Sequence, residues 1–431
     1  MENVLDLLID DFHERALPEL MPRNQSMPWV QGKAAVVIGM RRAGKTWFCF
    51  QKMQELMAEG VEKERLLYIN FEDERLLPFT AQDFKLVLDT YYRKFPAFKN
   101  KRCYLFLDEI QRIEGWDKFV RRVLDTEQIS ICVTGSSSKL LSSEIATSLR
   151  GRSLTTEIFP FSFLEFLKFH QVNLKSTHRF GSGTRAIVQN QLDHYTKIGG
   201  FPEVQTLDDE IRRQVLRNFL DVVILRDVVE RYTIRNIAAL RALIRHIMSA
   251  PATRFSVNKF YNSLKSQGIA CTKNNLYEFL DHVMDAFLFY QVPIHSRSEK
   301  VRRVNPKKMY VIDPGLLDVT SYHMTADRGA LLENLVYIHL RRQGLAPEYY
   351  VTQSGVEVDF VIAGKDRSKR RLIQVCWEMS EPATQKREVN ALLSAMNELG
   401  INRSTIVTWF DEDYSDKRID IVPSWKWLLA E

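Results

Sequence analysis

The stretch AAVVIGMRRAGKTWFCFQKMQELM, residues 34–57, restricts the fold more than any other part of the chain. Ala34 to Ile38 are continuously apolar, the pattern of a strand buried on both faces of a parallel sheet, and Trp47, Phe48, Phe50, Met53, Leu56 and Met57 follow at roughly helical spacing. Between them GMRRAGKT fits G-x4-G-K-[ST], a string that identifies nothing alone but is informative between a strand and a helix. In such a loop Gly39 and Gly44 let successive N–H groups turn toward phosphate oxygens, at the partially positive end of the next helix. Lys45 then reaches the β- and γ-phosphates and Thr46 holds Mg²⁺, with Ala43 and Trp47 completing the nucleotide-binding run. Arg41 and Arg42 lie inside the loop, placed to contact phosphate or to brace a carboxylate. The plainer alternative, a glycine turn that happens to hold a lysine, leaves the flanking pattern unexplained.

A metal-bound nucleotide needs a carboxylate site, and RCYLFLDEIQRIEGW at 102–116 supplies one. Its apolar run ends in Asp108 and Glu109, which places both acids at the carboxyl end of a buried strand, where open α/β sheets bind ligands. Asp108 is the candidate metal residue and Glu109 the candidate base for a water attacking the γ-phosphate; the competing reading is a helix cap. A further buried strand, Ile129 to Val133, ends in the hydroxyl cluster Thr134 to Ser138, where Ser136 and Ser137 are candidate γ-phosphate sensors. Guanine specificity is disfavoured, because the Asn-Lys pairs at Asn100 and Asn258 have Cys103 and Tyr261 where an N-K-x-D motif needs aspartate. No lid or acceptor signature of a small-molecule kinase is visible.

Six segments in order, VVIGMRRAGKT, YINFEDERL, LFLDEIQRIEGW, VTGSSSKLL, LRGRSLTTEIFPFSFLEF and GGFPEV, resemble the prokaryotic AAA+ ATPases whose C-terminal part is a domain of uncharacterised function. The resemblance implies ATP as nucleotide and homo-oligomerisation. It also implies an arginine completing a neighbouring subunit's site, for which Arg152 is the first candidate and Arg150 the second. Purely structural roles, or contact with the chain's own nucleotide, stay open for both.

The chain of 431 residues suggests roughly three domains, yet its patterning divides into four. The expected fold is α/β: a P-loop AAA+ core with a doubly wound parallel sheet (1–165), a helical lid (166–240), a winged helix-turn-helix (241–320) and a restriction-endonuclease-like α/β domain (321–431). FSFLEFLKFH and QVLRNFLDVVILRDVVERY carry the helical period of the lid. In the third part, Leu276, Phe279, Leu280, Val283 and Phe287 form one core-facing stripe and leave Lys273, Asn274 and Tyr277 outward. A basic wing follows, with Arg297, Lys300, Arg302, Arg303, Lys307 and Lys308. Lys273, Asn274, Arg302, Arg303, Lys307 and Lys308 are the DNA-binding candidates, the alternative being a protein-contact module.

The last part resembles the restriction-endonuclease-like fold, in which a helix Glu, a strand Asp and a (D/E)-x-K bind Mg²⁺ and position water. Glu333, expected to face outward, and Asp359 supply the first two, but Gln374 and Cys376 stand at the third element. The site reads as degraded, on a binding scaffold whose basic loop carries Lys365, Arg367, Lys369, Arg370 and Arg371. A net charge of +6 permits nucleic acid without demanding it. Five cysteines with no C-x-x-C pair suit reduced thiols in a cytoplasm and argue against zinc or disulfides. The acidic start MENVLDLLIDDFHER is not a signal peptide, and no apolar run is long enough for a membrane span. The functional expectation is Mg²⁺-dependent ATP hydrolysis coupled to conformational change, acting on DNA or a DNA-bound partner. A slow nucleotide-gated switch binding a protein partner is the alternative, and an ATP-controlled nuclease is a further one that the loss of the lysine counts against.

Overall fold

The computed structural model describes residues 1–136, 149–172, 174, 180–320, 327–363, 370–411 and 417–430. Two compact units result, residues 1–159 with 285–287 and residues 160–284 with 288–431. Ser137 and the loop residues Lys365, Arg367 and Lys369 lie outside the described residues.

In the first unit, α1 (Glu2–Glu14) precedes β1 (Ala34–Ile38), α2 (Lys45–Ala58), β2 (Leu66–Asn70), α3 (Phe84–Lys94), β3 (Cys103–Asp108), α4 (Trp116–Thr126), β4 (Ile129–Gly135) and β5 (Ser153–Glu157). The strands form one five-stranded parallel sheet in the order β2-β3-β4-β1-β5. Every residue of β1 and β3 is buried, which is why both read as unbroken apolar runs rather than alternations. Inserting β4 between β1 and β3 sets the phosphate loop after β1 apart from the acids that end β3, with the tip of β4 between them. Helix α1 buries Leu5, Ile9 and Phe12, spaced for one face, against β2 and α3. Its acidic face pairs with Arg93 and Lys94 of α3, through Asp6 at 3.1 Å from each and Asp10 at 2.8 Å from Lys94.

The second unit opens with helices. Helix α5 (Phe163–Phe169) starts at a reciprocal cap, with the Glu165 amide donating to Ser162 Oγ at 3.1 Å and the Ser162 amide to Glu165 Oε2 at 2.7 Å. Then come α6 (Ser182–Ile198) and α7 (Asp209–Val222), which runs on into a π-helical stretch, Val223–Glu230. Next, α8 (Ile237–Ser249), β6 (Arg254–Phe255), α9 (Val257–Ser266), α10 (Lys273–Asp285), β7 (Phe289–Val292), α11 (Glu299–Val304) and β8 (Lys307–Val311) follow, and the strands pair antiparallel in the order β6-β8-β7. The segment expected to be a basic wing therefore contains a short helix. Ser298 caps it, Glu299 sits in its first turn and Arg302 and Arg303 in its last, each charge suiting the end it occupies.

After α12 (Pro314–Thr320), the chain continues as α13 (Arg328–Arg342), β9 (Glu348–Val351), β10 (Glu357–Ile362), β11 (Arg371–Cys376), α14 (Pro382–Leu399), β12 (Ser404–Thr408), β13 (Ile419–Pro423) and α15 (Ser424–Trp427). These strands make a mixed five-stranded sheet, β13-β12-β11-β10-β9, antiparallel from β9 to β11 and parallel from β11 to β13. Val358, Leu372 and Ile406 of the sheet pack with Val389, Leu392 and Met396 of α14 in its core.

Two polar knots join distant parts of this unit. Asp313 is buried and accepts the Gly200 amide at 2.7 Å and the Gly315 amide at 2.8 Å. A Cβ on Gly199 would lie 2.0 Å from Asp313 Oδ1, and the φ there is +75°, so the GGFPEV segment has glycine for a steric reason. The second knot is Asn334 of α13, whose amide accepts from Val311 N and donates to Val311 O, both at 2.8 Å, completing the hydrogen bonding of β8 as a further strand would.

Candidate functional site

The loop after β1 turns on residues with positive φ: Gly39 at +146°, Arg42 at +66° and Gly44 at +100°. Gly39 is further required because a Cβ would fall 2.1 Å from the Ile158 carbonyl oxygen. Lys45, 5% exposed, donates to the carbonyls of Gly39 at 3.1 Å and Met40 at 3.2 Å. Arg23 braces the loop from outside, donating to Ala43 O at 3.0 Å and Phe159 O at 2.5 Å, while its own amide donates to Gln51 of α2 at 2.7 Å. Trp47 is half exposed on the first turn of α2.

Asp108 is the hub of the site. Thr46 Oγ1 and Tyr68 OH each donate to its Oδ2 at 2.8 Å, and Thr134 Oγ1 donates to its Oδ1. Burial pushes this carboxyl up, the Thr134 hydrogen bond opposes that, the Glu109 charge adds to it, and Thr46 and Tyr68 oppose it again. Thr134 also accepts the Glu109 amide at 3.0 Å, so one hydroxyl fixes both acids. Glu109 itself sits at φ +52°. Its carboxylate accepts from Gln111 at 2.5 Å and lies 3.6 Å from the Lys45 ammonium. Burial would raise this group, but Lys45, then Gln111, Arg41 and Ser136, outweigh it and hold Glu109 below the usual carboxylate range. Ser136 is 1% exposed and buried beside the Glu109 carboxylate.

Arg41 faces Glu72 at 3.3 Å, and Arg112 meets the same carboxylate at 2.6 Å. Arg42 is exposed. Arg150 and Arg152 stand elsewhere: the Arg152 carbonyl accepts the Ala34 amide at 2.8 Å, at the start of β1, whereas the phosphate loop follows its end, about 15 Å along the strand. Arg152 pairs there with Asp125, and Arg150 is exposed at φ +50°. Tyr68, Arg23, Glu72 and Arg112 carry no signal of their roles in the sequence, and Thr134, although part of the hydroxyl cluster ending β4, gives no sign there of its tie to Asp108. Tyr68 reads as an ordinary strand aromatic, and nothing in the irregular segment around Arg23 points to a loop 20 residues away.

The family model described as an AAA domain matches residues 31–167, the segment that holds this constellation. Over 438 aligned residues the chain is 37% identical to an uncharacterised protein of Methanocaldococcus jannaschii, covering 99% of this chain and 95% of that protein. The chain belongs to the family of that protein. An uncharacterised protein of Haemophilus influenzae is 31% identical, over 80% of this chain and 83% of its own. Two further family models, each described as a domain of unknown function (DUF8612 and DUF4143), match residues 189–323 and 328–427. Among solved structures, the Aeropyrum pernix ORC2 protein in ADPNP-ADP complexes is 12% identical, with a TM-score of 0.37 over 74% of this chain and 92% of that one. AMPPCP-bound DnaA from Aquifex aeolicus is 16% identical, with a TM-score of 0.24 over 59% of this chain and 88% of that one. Such low scores leave the assignment resting on the sequence relatives and the AAA domain. Among the described residues no helix is long and apolar enough to cross a membrane.

Outside the AAA domain the structure corrects three expectations. Lys308 is no surface cation: it is 2% exposed and its ammonium contacts Glu333 at 2.5 Å, Glu357 at 2.8 Å and Asp359 at 3.0 Å. Glu333 does not face outward, because it accepts from Tyr310 OH at 2.6 Å within the same cluster. Burial first, then the Asp359 charge, push its carboxyl up to about 8 against the pull of Lys308. Arg302 of α11 spends its charge on Glu348 at 2.8 Å, while Lys273, Asn274 and Arg303 are exposed and Lys307 is half-buried. Gln374 lies beside Asp359, whereas Cys376 is buried in the core between the sheet and α14. Gln374 accepts the Asp359 amide at 3.2 Å and donates to Glu388 of α14 at 2.8 Å, and Cys376 donates to Glu378 O at 3.2 Å. Burial pushes the Cys376 thiol up to about 11, which makes it a poor nucleophile at neutral pH.

Proposed function

We propose that this family member is a Mg²⁺-dependent ATPase in which nucleotide state is coupled to a change of conformation. The observation that supports it best is the constellation in which Lys45, Thr46, Asp108, Thr134 and Glu109 are joined by direct contacts at the carboxyl end of a parallel sheet. The Thr46 hydroxyl and the Asp108 carboxylate, 2.8 Å apart, are the hard oxygen donors that suit Mg²⁺. When bound there, the ion neutralises charge on the phosphate oxygens. The loop amides and Lys45 bind the phosphates, Lys45 leaving the Gly39 and Met40 carbonyls to do so. Its departure from Glu109 frees an ionised carboxylate, oriented by Gln111, to take a proton from the attacking water. Ser136, buried beside that carboxylate, is suited to register the γ-phosphate. Arg152, remote from its own loop, is suited to act on a second copy of the chain.

Lys45→Ala and Glu109→Gln separate binding from turnover. The first should abolish tight ATP binding in calorimetry; the second should keep binding and lower single-turnover hydrolysis about 100-fold or more, because its amide accepts no proton. Hydrolysis at the wild-type rate in Glu109→Gln removes the assignment.

A second reading, contact with DNA, is favoured by Lys273 and Asn274, both exposed on the first turn of α10 beside half-exposed Tyr277. Helix α10 packs its stripe inward through Leu276, Phe279 and Val283, leaving that face open to a groove. Affinity for duplex DNA that falls steeply with salt and drops in Lys273→Glu supports it; salt-independent binding does not.

A further inference from the structure

Glu333, Glu357 and Asp359 come from α13 and β10, and their oxygens converge on one point held by nitrogen. The Lys308 ammonium has three N–H donors and three carboxylate partners, so every donor is used. Two of the three oxygens left over are also engaged. Asp359 Oδ2 accepts the Val375 amide at 2.9 Å, and the second oxygen of Glu357 pairs with Arg254. Glu333 Oε1 is shared between Lys308 and Tyr310.

We propose that Lys308 is a resident cation, occupying the position that a divalent metal would otherwise take among these three carboxylates and closing it to metals. A Mg²⁺ ion needs near-octahedral oxygens at about 2.0–2.1 Å, and here the centre of the oxygens is filled. Displacement is opposed by the backbone, because Lys308 lies on the central strand, paired with Arg254 on one side and Val292 on the other. Extracting it would leave a buried ammonium with no counter-charge, which is far costlier than breaking a surface pair. The Mg²⁺ implied by the restriction-endonuclease-like resemblance therefore does not fit this cluster. Instead, a charge that the sequence suggests for a wing is the counter-ion of the C-terminal sheet. Since Lys308 lies in the segment matched at 189–323 and the carboxylates in that at 328–427, one side chain places the central positive charge in a cluster formed by another matched segment.

The test uses the full chain without nucleotide and Mn²⁺ as the probe, with free Mn²⁺ read by electron paramagnetic resonance. Wild type should bind no Mn²⁺ that Asp359→Asn removes. Lys308→Met, which keeps the unbranched apolar stem but ends one atom short of the ammonium and loses the charge, should gain one Mn²⁺ per chain at least tenfold tighter than wild type. That gain should vanish in Lys308→Met combined with Asp359→Asn. The thermal midpoint should rise with Mn²⁺ in Lys308→Met alone. If Lys308→Met does not fold without metal, refolding in Mn²⁺ gives the same readout, recovery supporting the proposal and none overturning it. A wild-type Mn²⁺ site that disappears in Asp359→Asn, or a folded Lys308→Met with no added Mn²⁺ affinity, also overturns it.

Discussion

Replacing Thr134 by valine tests the hub of the AAA domain with almost no change of shape. The hydroxyl donates to Asp108 Oδ1 and accepts the Glu109 amide at 3.0 Å, and the residue is wholly buried. Removing it takes one hydrogen bond from a buried carboxylate, worth about 1.5–3 kcal/mol, and leaves one buried amide unsatisfied, at about 1–3 kcal/mol. The losses share one atom and are not additive, so a destabilisation of about 2–4 kcal/mol is expected. Tenfold per 1.4 kcal/mol makes this about 30- to 700-fold faster hydrogen exchange at the most protected amides of β3 and β4. Exchange at the C-terminal sheet should not change, which separates the effect from general misfolding. Glu109, no longer tethered through its amide, should also lose turnover more than ATP affinity. Exchange within threefold of wild type at β3 and β4 would refute the reasoning, since it would mean that neither hydrogen bond contributes.

Two other outcomes follow from the Asp313 knot. Gly199→Ala should cost about 3–5 kcal/mol in urea denaturation, because its Cβ would lie 2.0 Å from Asp313 Oδ1 at a φ of +75°; a cost below about 1 kcal/mol contradicts the steric argument. Burial raises the Asp313 carboxyl to about 6 from an ordinary 3.8, against hydrogen bonds from Gly200 and Gly315. The folded state therefore holds this proton more tightly. The stabilisation is complete below about pH 4 and is lost as pH rises through about 6, about 3 kcal/mol in all. Denaturation midpoints followed against pH should show that decline in wild type and not in Asp313→Asn; parallel curves would exclude it.

The parts of the fold legible in the sequence are those whose signal is local. The run from Ala34 to Met57 announces strand, loop and helix within one window, and the stripe Leu276, Phe279, Leu280, Val283 and Phe287 is buried throughout. Asp108 and Glu109 are legible because two acids ending a buried strand would be costly to keep there without a cation to meet. Tyr68 and Thr134 are not, since their hydroxyls matter only once the sheet order puts β2 and β4 on either side of β3. Lys308 is illegible for the same reason: in a row of basic residues it looks solvated, and the carboxylates that bury it lie 25, 49 and 51 positions later. The same stretch resembles a wing because its charges mask a capped helical turn at Ser298.

Asn334, by matching both polar groups of Val311, makes the stretch between residues 323 and 328 a poor place to cut or to graft. A gene fusion that carried the last hundred residues onto another partner would strip a strand of its amide and orphan a wholly buried one. Exchange of segments between lineages should therefore have been selected to move both together, and paired inheritance of the two segments among relatives is the trace such a constraint would leave.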